Sequence, residues 1–98
     1  MNYVHKLYMP NISHVIRDNV TDGLTDKWGG CTVYHSMGYW KDGEGQKMIE
    51  PVLVVEVITD NNKTPQTFLD AADDLIALGE ECVLVTTQEI DSQFISRE

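Results

Sequence analysis

Tyr39 and Glu50 flank a turn-rich segment, Gly38-Tyr39-Trp40-Lys41-Asp42-Gly43-Glu44-Gly45, which leads into the most hydrophobic run of the chain, Pro51-Val52-Leu53-Val54-Val55-Glu56-Val57. A phenol and a carboxylate at the two ends of a loop held by a rigid strand form a candidate active-site pair, because loops on rigid scaffolds carry much of protein function. Trp40 beside them offers a face for a planar ring or a cation. Glu50 stands at the strand start, where a ligand can reach it. Glu56 falls on the same strand face but interrupts the apolar run, and pairing with a Lys or Arg of another element is the simpler role for it.

Other chemistries find little support. His5, His14 and His35 are isolated, and none has metal-ligand spacing to another His, a Cys or paired carboxylates. The chain has no G-x-x-x-x-G-K-[ST], G-x-G-x-x-G or G-x-S-x-G segment. Cys31 and Cys82 lack C-x-x-C spacing and sit in apolar, strand-like segments, so they read as small buried hydrophobes in a reducing compartment.

The elements that must position Tyr39 and Glu50 follow from periodicity and punctuation. Tyr3 to Met9 reads as a strand ended by Pro10-Asn11. Ser13 is a candidate cap for a helix carrying Val15, Ile16, Val20 and Leu24 at helical spacing and closed by Gly29-Gly30. Cys31 to Met37 is a second strand, and Gly38–Gly45 is a loop. Lys47 to Thr59 is a third strand, apolar enough to be buried on both faces. Thr64 caps a second helix with Pro65 at its first position, its apolar stripe formed by Phe68, Ala71, Ala72, Leu75, Ile76 and Leu78. Asp70, Asp73 and Asp74 form its solvated side, and Gly79 ends it. Cys82 to Thr86 is a fourth strand, and Ile90, Phe94 and Ile95 give the tail enough apolar character to pack. The order β-α-β-β-α-β is the ferredoxin-like, α+β arrangement, an antiparallel sheet of spatial order 4-1-3-2 with both helices on one face. Cys31 and Cys82 then lie at opposite edges, which argues against a disulfide between them.

Ninety-eight residues are read as one domain, 1–98. So short a chain buries a limited share of its surface, and oligomerisation is the cheapest remedy. A net charge of −9 with only 7 Lys and Arg argues against a nucleic-acid partner, since phosphate binding needs a basic patch. No apolar run approaches membrane-spanning length and no signal peptide is legible, so the expectation is a cytoplasmic protein without a membrane partner.

The pieces Gly38-Tyr39 … Glu50 … Val54-Val55-Glu56-Val57 and Glu80-Glu81-Cys82-Val83-Leu84-Val85, in this order and followed by a Ser/Thr/Gln-rich tail, resemble the small phage S-adenosylmethionine-degrading enzymes, the T3-type lyases formerly called SAM hydrolases. The resemblance spans roughly residues 3–96. It implies a PII-like homotrimer of ferredoxin-like subunits with the substrate, S-adenosylmethionine, held between subunits and no cofactor. The family's catalytic glutamate corresponds to Glu50 and its tyrosine to Tyr39. Trp40, Thr86, Thr87 and Gln88 are the substrate-binding candidates, the last three for the adenine. The implied reaction is closure of the substrate's own carboxylate onto the carbon next to sulfur. In a phage it would serve against methyl-dependent restriction in the host cytoplasm. Two alternatives stay open at the level of sequence: hydrolysis, with Glu50 as general base on a water, and a non-catalytic PII-like nucleotide sensor or sponge.

Overall fold

The computed structural model describes residues 1–10, 14–93 and 95–96. The proposed cap Ser13 and the apolar Phe94 lie outside the described residues. The elements are β1 (Asn2–Pro10), α1 (His14–Trp28), β2 (Thr32–Lys41), β3 (Lys47–Thr59), α2 (Gln66–Ala77) and β4 (Leu84–Ile90), in the sheet order β2-β3-β1-β4. All pairings are antiparallel. This is the ferredoxin-like α+β arrangement.

The core lies between the helices and one sheet face. Side chains alternate across a strand, and Leu7 and Met9 of β1 join Leu53, Val55 and Val57 of β3 on the covered face, against Ile16, Val20 and Leu24 of α1 and Phe68, Ala71 and Leu75 of α2. The helical stripes are narrower than the sequence spacing implies. Val15, Ile76 and Leu78 are exposed, because a short helix over a four-stranded sheet buries only the positions that point at it.

Both helices end on glycines in the left-handed region. Gly29 has φ 85° and donates to the Thr25 carbonyl at 2.9 Å. Gly79 has φ 109°, donating to Ile76 while Glu80 donates to Leu75, the paired bonds of a Schellman ending. The start of α2 differs from expectation. Pro65 is the cap rather than the first helical residue, and no side chain, Thr64 included, caps the helix. Pro65 still fits, since its carbonyl accepts from Phe68 at 2.9 Å.

Three strand boundaries also move. β2 runs on to Lys41 and pairs with β3, which starts at Lys47 as expected, so the first half of the Gly38–Gly45 segment is strand and only its second half is turn. The hairpin closes over Asp42–Gln46, where one Asp42 carboxylate oxygen accepts from the N–H groups of Glu44 and Gln46, both at 2.9 Å, and Gly45 takes φ 82°. β4 begins at Leu84 rather than Cys82 and runs on to Ile90, because β1 offers it partners as far as Asn2. Cys82 is accordingly exposed and not a buried hydrophobe, and Cys31 is half-buried; both are free thiols.

A polar cluster ties three strands together beneath the helices. His5 is fully buried. Its Nε2 lies 2.8 Å from the Thr59 hydroxyl and 3.1 Å from the Asn61 carbonyl, and its Nδ1 lies 2.8 Å from the Thr87 hydroxyl. A carbonyl only accepts, so Nε2 carries the proton and Nδ1 accepts from Thr87. The Thr59 hydroxyl also donates to Asn61 at 2.8 Å. The neutral ring is thus fully satisfied, and burial lowers its pKa from 6.5, with the Asn61 bond opposing in part. The unfolded chain therefore takes up this proton at higher pH than the folded chain. His5 contributes stability that is complete above the unfolded value and is lost as pH falls through it toward the folded pKa. Thermal unfolding followed between pH 7.5 and 5 is expected to show a falling Tm, and His5→Gln to flatten that slope. Equal slopes in the two proteins would refute the assignment.

Candidate functional site

Beyond Pro10 the sheet changes character. β1 ends there, paired with Val52, while β3 continues back to Lys47, against β2 alone among the described residues. Prolines stand on both sides of the break, Pro10 and Pro51, and neither has an N–H for a ladder. The β2–β3 ribbon therefore projects past the body, and the molecule extends 54 × 25 × 24 Å. The gap left by the missing strand is bounded on its far side by Gly79–Cys82, the segment that turns from α2 into β4.

An open cleft of about 690 Å³ fills this gap. Its floor and walls include Glu50, Trp40, Met48, Val52, Tyr8 and Leu84. Register explains the grouping. Gly38 is opposite Glu50 and Trp40 opposite Met48, and Ser36, Val52 and Pro10 form the next row. All point to the sheet face that the helices leave uncovered. Asp42, Glu80 and Glu81 add three more carboxylates, against Lys41 as the one base in the lining. The cleft is a cation-favouring site with an apolar floor. A smaller groove of about 270 Å³ lies between α1 and α2, lined by Gly23, Thr67 and Asp70 among others. Only the larger cleft falls within the roughly 300–1,000 Å³ that small-molecule sites occupy.

Glu50 is half-buried in the cleft lining. Glu56 shares its face but not its surroundings. Its Oε2 lies 3.8 Å from Nζ of Lys6, its register partner on β1. Lys6 is held above its usual pKa, first by the Tyr34 phenol, with Glu56 and Tyr8 adding to it and burial opposing. Glu56 thus has the cross-strand partner expected of it, whereas no ion pair to Glu50 occurs among the described residues.

The pairing of Tyr39 with Glu50 takes a different form from that expected. Tyr39 borders the cleft, but its cross-strand partner is Ile49, so its side chain leaves the ribbon on the face opposite Glu50. It is 72% exposed. Trp40, two positions from Gly38, shares the Glu50 face, as do Tyr8 and Tyr34 further along the sheet. The three adenine candidates separate in the same way. Thr86 is in register with Lys6 and Gln88 with Val4, both on the uncovered face, whereas Thr87 faces the helices and its hydroxyl is taken by His5. None of the three lines the cleft. Sequence reasoning missed Met48, Pro10 and the acidic pair Glu80-Glu81 as cleft walls. The signal for the pair was its position just after the helix-ending Gly79. Among the described residues no group of three His, Cys, Asp or Glu is placed to hold a metal ion, and no helix is long and apolar enough to cross a membrane.

No protein-family model matches the chain, and no curated protein matches it in sequence. Solved structures do match its fold. The periplasmic divalent cation tolerance protein CutA from Archaeoglobus fulgidus superimposes with TM-score 0.65 at 13% identity, over 96% of this chain and 88% of that one. B. subtilis GlnK in complex with ATP gives 0.58 at 11%, over 91% and 81%. A phage SAM lyase in complex with S-methyl-5′-thioadenosine gives 0.53 at 16%, over 90% and 81%. The fold is PII- and CutA-like. These similarities speak to the fold alone, and the chemistry rests on the cleft.

Proposed function

We propose that the chain is an S-adenosyl-L-methionine lyase acting in the cleft that holds Glu50. The observation that carries this reading is the cleft's composition: four carboxylates, one lysine and a tryptophan over an apolar floor. S-adenosylmethionine carries two cationic groups, an ammonium and a sulfonium, and a flat purine. A polyphosphate nucleotide needs clustered Arg or Lys or a helix N-terminus, and this lining offers Lys41 alone. That weighs against an ATP-type sensor, although GlnK shares the fold. The likeness to a phage SAM lyase is consistent with the reading.

The reaction needs neither cofactor nor water. A carboxylate oxygen of the substrate attacks its own γ-carbon, the C–S bond breaks, and the bonding pair stays on sulfur. The products are L-homoserine lactone and 5′-methylthioadenosine. Negative and positive charge cancel in the transition state, so a dry site that holds the chain folded for attack accelerates the step. Glu50 binds the substrate ammonium by a charge-assisted hydrogen bond and leaves the substrate carboxylate free to react. Trp40 walls the sulfonium side. Tyr39, on the far face of the ribbon, serves the site by packing or by reaching a neighbouring copy.

The site is completed in a homotrimer. β2 is exposed on both faces, with Val33, Tyr34, Met37, Tyr39 and Trp40 all in solvent in the single chain, and Met48, Ile49 and Leu84 are exposed beside it. Apolar surface of this extent on the two sides of the ribbon, with unpaired edges at β2 and β4, calls for a covering partner. A second copy suits it best. Thr86 and Gln88 on the uncovered face are then the adenine contacts, offered to a neighbour's cleft; Thr87 has its structural partner in His5.

Incubation with S-adenosylmethionine is expected to yield 5′-methylthioadenosine, with no ¹⁸O from labelled water in the first-formed lactone. Glu50→Gln should lower kcat/KM by about 30- to 1,000-fold, the equivalent of about 2–4 kcal/mol for a buried charge-assisted contact broken on one side. Glu56→Gln should cost less. Near-normal turnover in Glu50→Gln with loss in a folded Glu56→Gln protein would move the site to Glu56, and absence of methylthioadenosine would end the lyase reading. Light scattering at micromolar concentration should return three chains, and a stable monomer would exclude the shared site.

A further inference from the structure

Gly38 has a tighter environment than any other glycine of the chain. A β-carbon placed there would collide with Cζ3 of Trp40, and would come within 2.8 Å of Cγ2 of Val52 and 3.1 Å of Cε3 of Trp40. Cβ atoms essentially never make the first two of these approaches in folded proteins, and the obstacles here are a rigid ring and a β-branched side chain in a sheet. Gly38 has no positive φ, so backbone freedom is not the reason for glycine at this position. The reason is space. Residues two apart on a strand share a face, and the Trp40 indole folds back along its own strand to occupy the volume a side chain at Gly38 would fill. One edge of the ring, Cζ3 and Cε3, thus lies over Gly38, in the space next to Val52. The other stays open, with Trp40 43% exposed. Gly38 is directly opposite Glu50 in the ladder, so the seated ring stands beside that carboxylate in the cleft.

We propose that Gly38 is a positioning residue, which by lacking a side chain seats the Trp40 ring as a cleft wall beside Glu50, and that the ring and the carboxylate together select ligands bearing a methylated sulfonium or ammonium group. This deepens the lyase reading and rests on it for the identity of the whole substrate, though not for the seat itself. An onium carbon shell is poorly hydrated and has no N–H to donate. An aromatic face with a nearby negative charge holds such a group without demanding a hydrogen bond. A plain ammonium, by contrast, gains most from Glu50 alone. The thioether left after methyl or alkyl transfer is neutral and gains nothing from the ring's quadrupole. The seat therefore discriminates by charge at sulfur, and it does so only while the ring is held in place.

The test reads the ring directly. Trp28→Phe leaves Trp40 as the single tryptophan, and it removes an indole N–H that is buried without a hydrogen-bond partner among the described residues. In that background, titration with trimethylsulfonium is expected to change Trp40 fluorescence saturably. Gly38→Ala should red-shift the emission, raise acrylamide quenching and weaken trimethylsulfonium binding by about three- to thirtyfold. Trp40→Leu, which keeps Gly38, the backbone and the Glu50 charge, should sharply reduce the preference for S-adenosylmethionine over S-adenosylhomocysteine in calorimetry, and an unchanged preference would overturn the role given to the ring. The proposal is overturned if trimethylsulfonium gives no saturable signal at Trp40, or if Gly38→Ala leaves both emission and affinity unchanged. The lyase reading fails separately, if trimethylsulfonium binds as expected while S-adenosylmethionine stays intact.

Discussion

The length difference between two paired strands governs most of what this chain can do. β1 has nine residues and β3 thirteen, and they are aligned so that the surplus falls at one end. Where both are present, the sheet is closed over a core of Leu7, Met9, Leu53 and Val55. Where β1 stops, at Pro10, the ribbon of β2 and β3 continues alone and a space opens beside it. The cleft is that space. Glu50 reaches it because it sits on the surplus, two residues before the last paired position, Val52. Glu56, six residues further on, falls where β1 is still present and finds Lys6. The two glutamates differ in chemical availability because one lies beyond the end of a neighbouring strand and the other does not.

The two sheet faces are held by different means. The covered face relies on apolar burial, reinforced at one end by the His5, Thr59 and Thr87 cluster, which joins β1, β3 and β4 through a single neutral ring. Each of its polar groups has a partner, so the cluster costs little to bury. The uncovered face is mixed: Val52 and Val54 are buried within the single chain, whereas Tyr34, Trp40 and Leu84 remain in solvent. A chain of this size cannot cover both faces with two short helices. The ribbon, exposed on both sides, is the part most dependent on a second copy, and it is also the part that carries Glu50 and Trp40. Assembly and ligand binding are thus proposed to share residues.

The element order and the sheet order were legible from periodicity and from glycine and proline positions; the Lys47–Thr59 strand and the Gly79 helix ending are examples. The face that the helices cover was not, because the third strand is apolar on both sides. Nor was it legible where strands run beyond their apolar runs. β2 continues through Gly38, Tyr39 and Trp40 because β3 supplies partners across the hairpin, a cross-strand effect that no local window contains. That error placed Tyr39 in a loop, free to face Glu50, when strand alternation sends it to the other side. Trp40 was legible as an aromatic near the site, but its seat was not, since it depends on Gly38 being directly across from Glu50. Cys82 looked buried because its neighbours Val83 and Val85 are apolar, yet the strand begins after it. Thr87 looked like its neighbours Thr86 and Gln88 and differs from them through parity alone.

The central claim is that the gap beyond the end of β1 is where the ligand binds. Amide chemical-shift mapping with S-methyl-5′-thioadenosine, the product fragment and thus stable during measurement, tests it without requiring turnover. The account predicts saturable shifts concentrated at Gly38–Asp42, at Glu50 and its neighbours, at Gly79–Leu84, and at the adenine contacts Thr86 and Gln88. Shifts confined instead to the groove between the helices, at Gly23, Thr67 and Ala71, would contradict it.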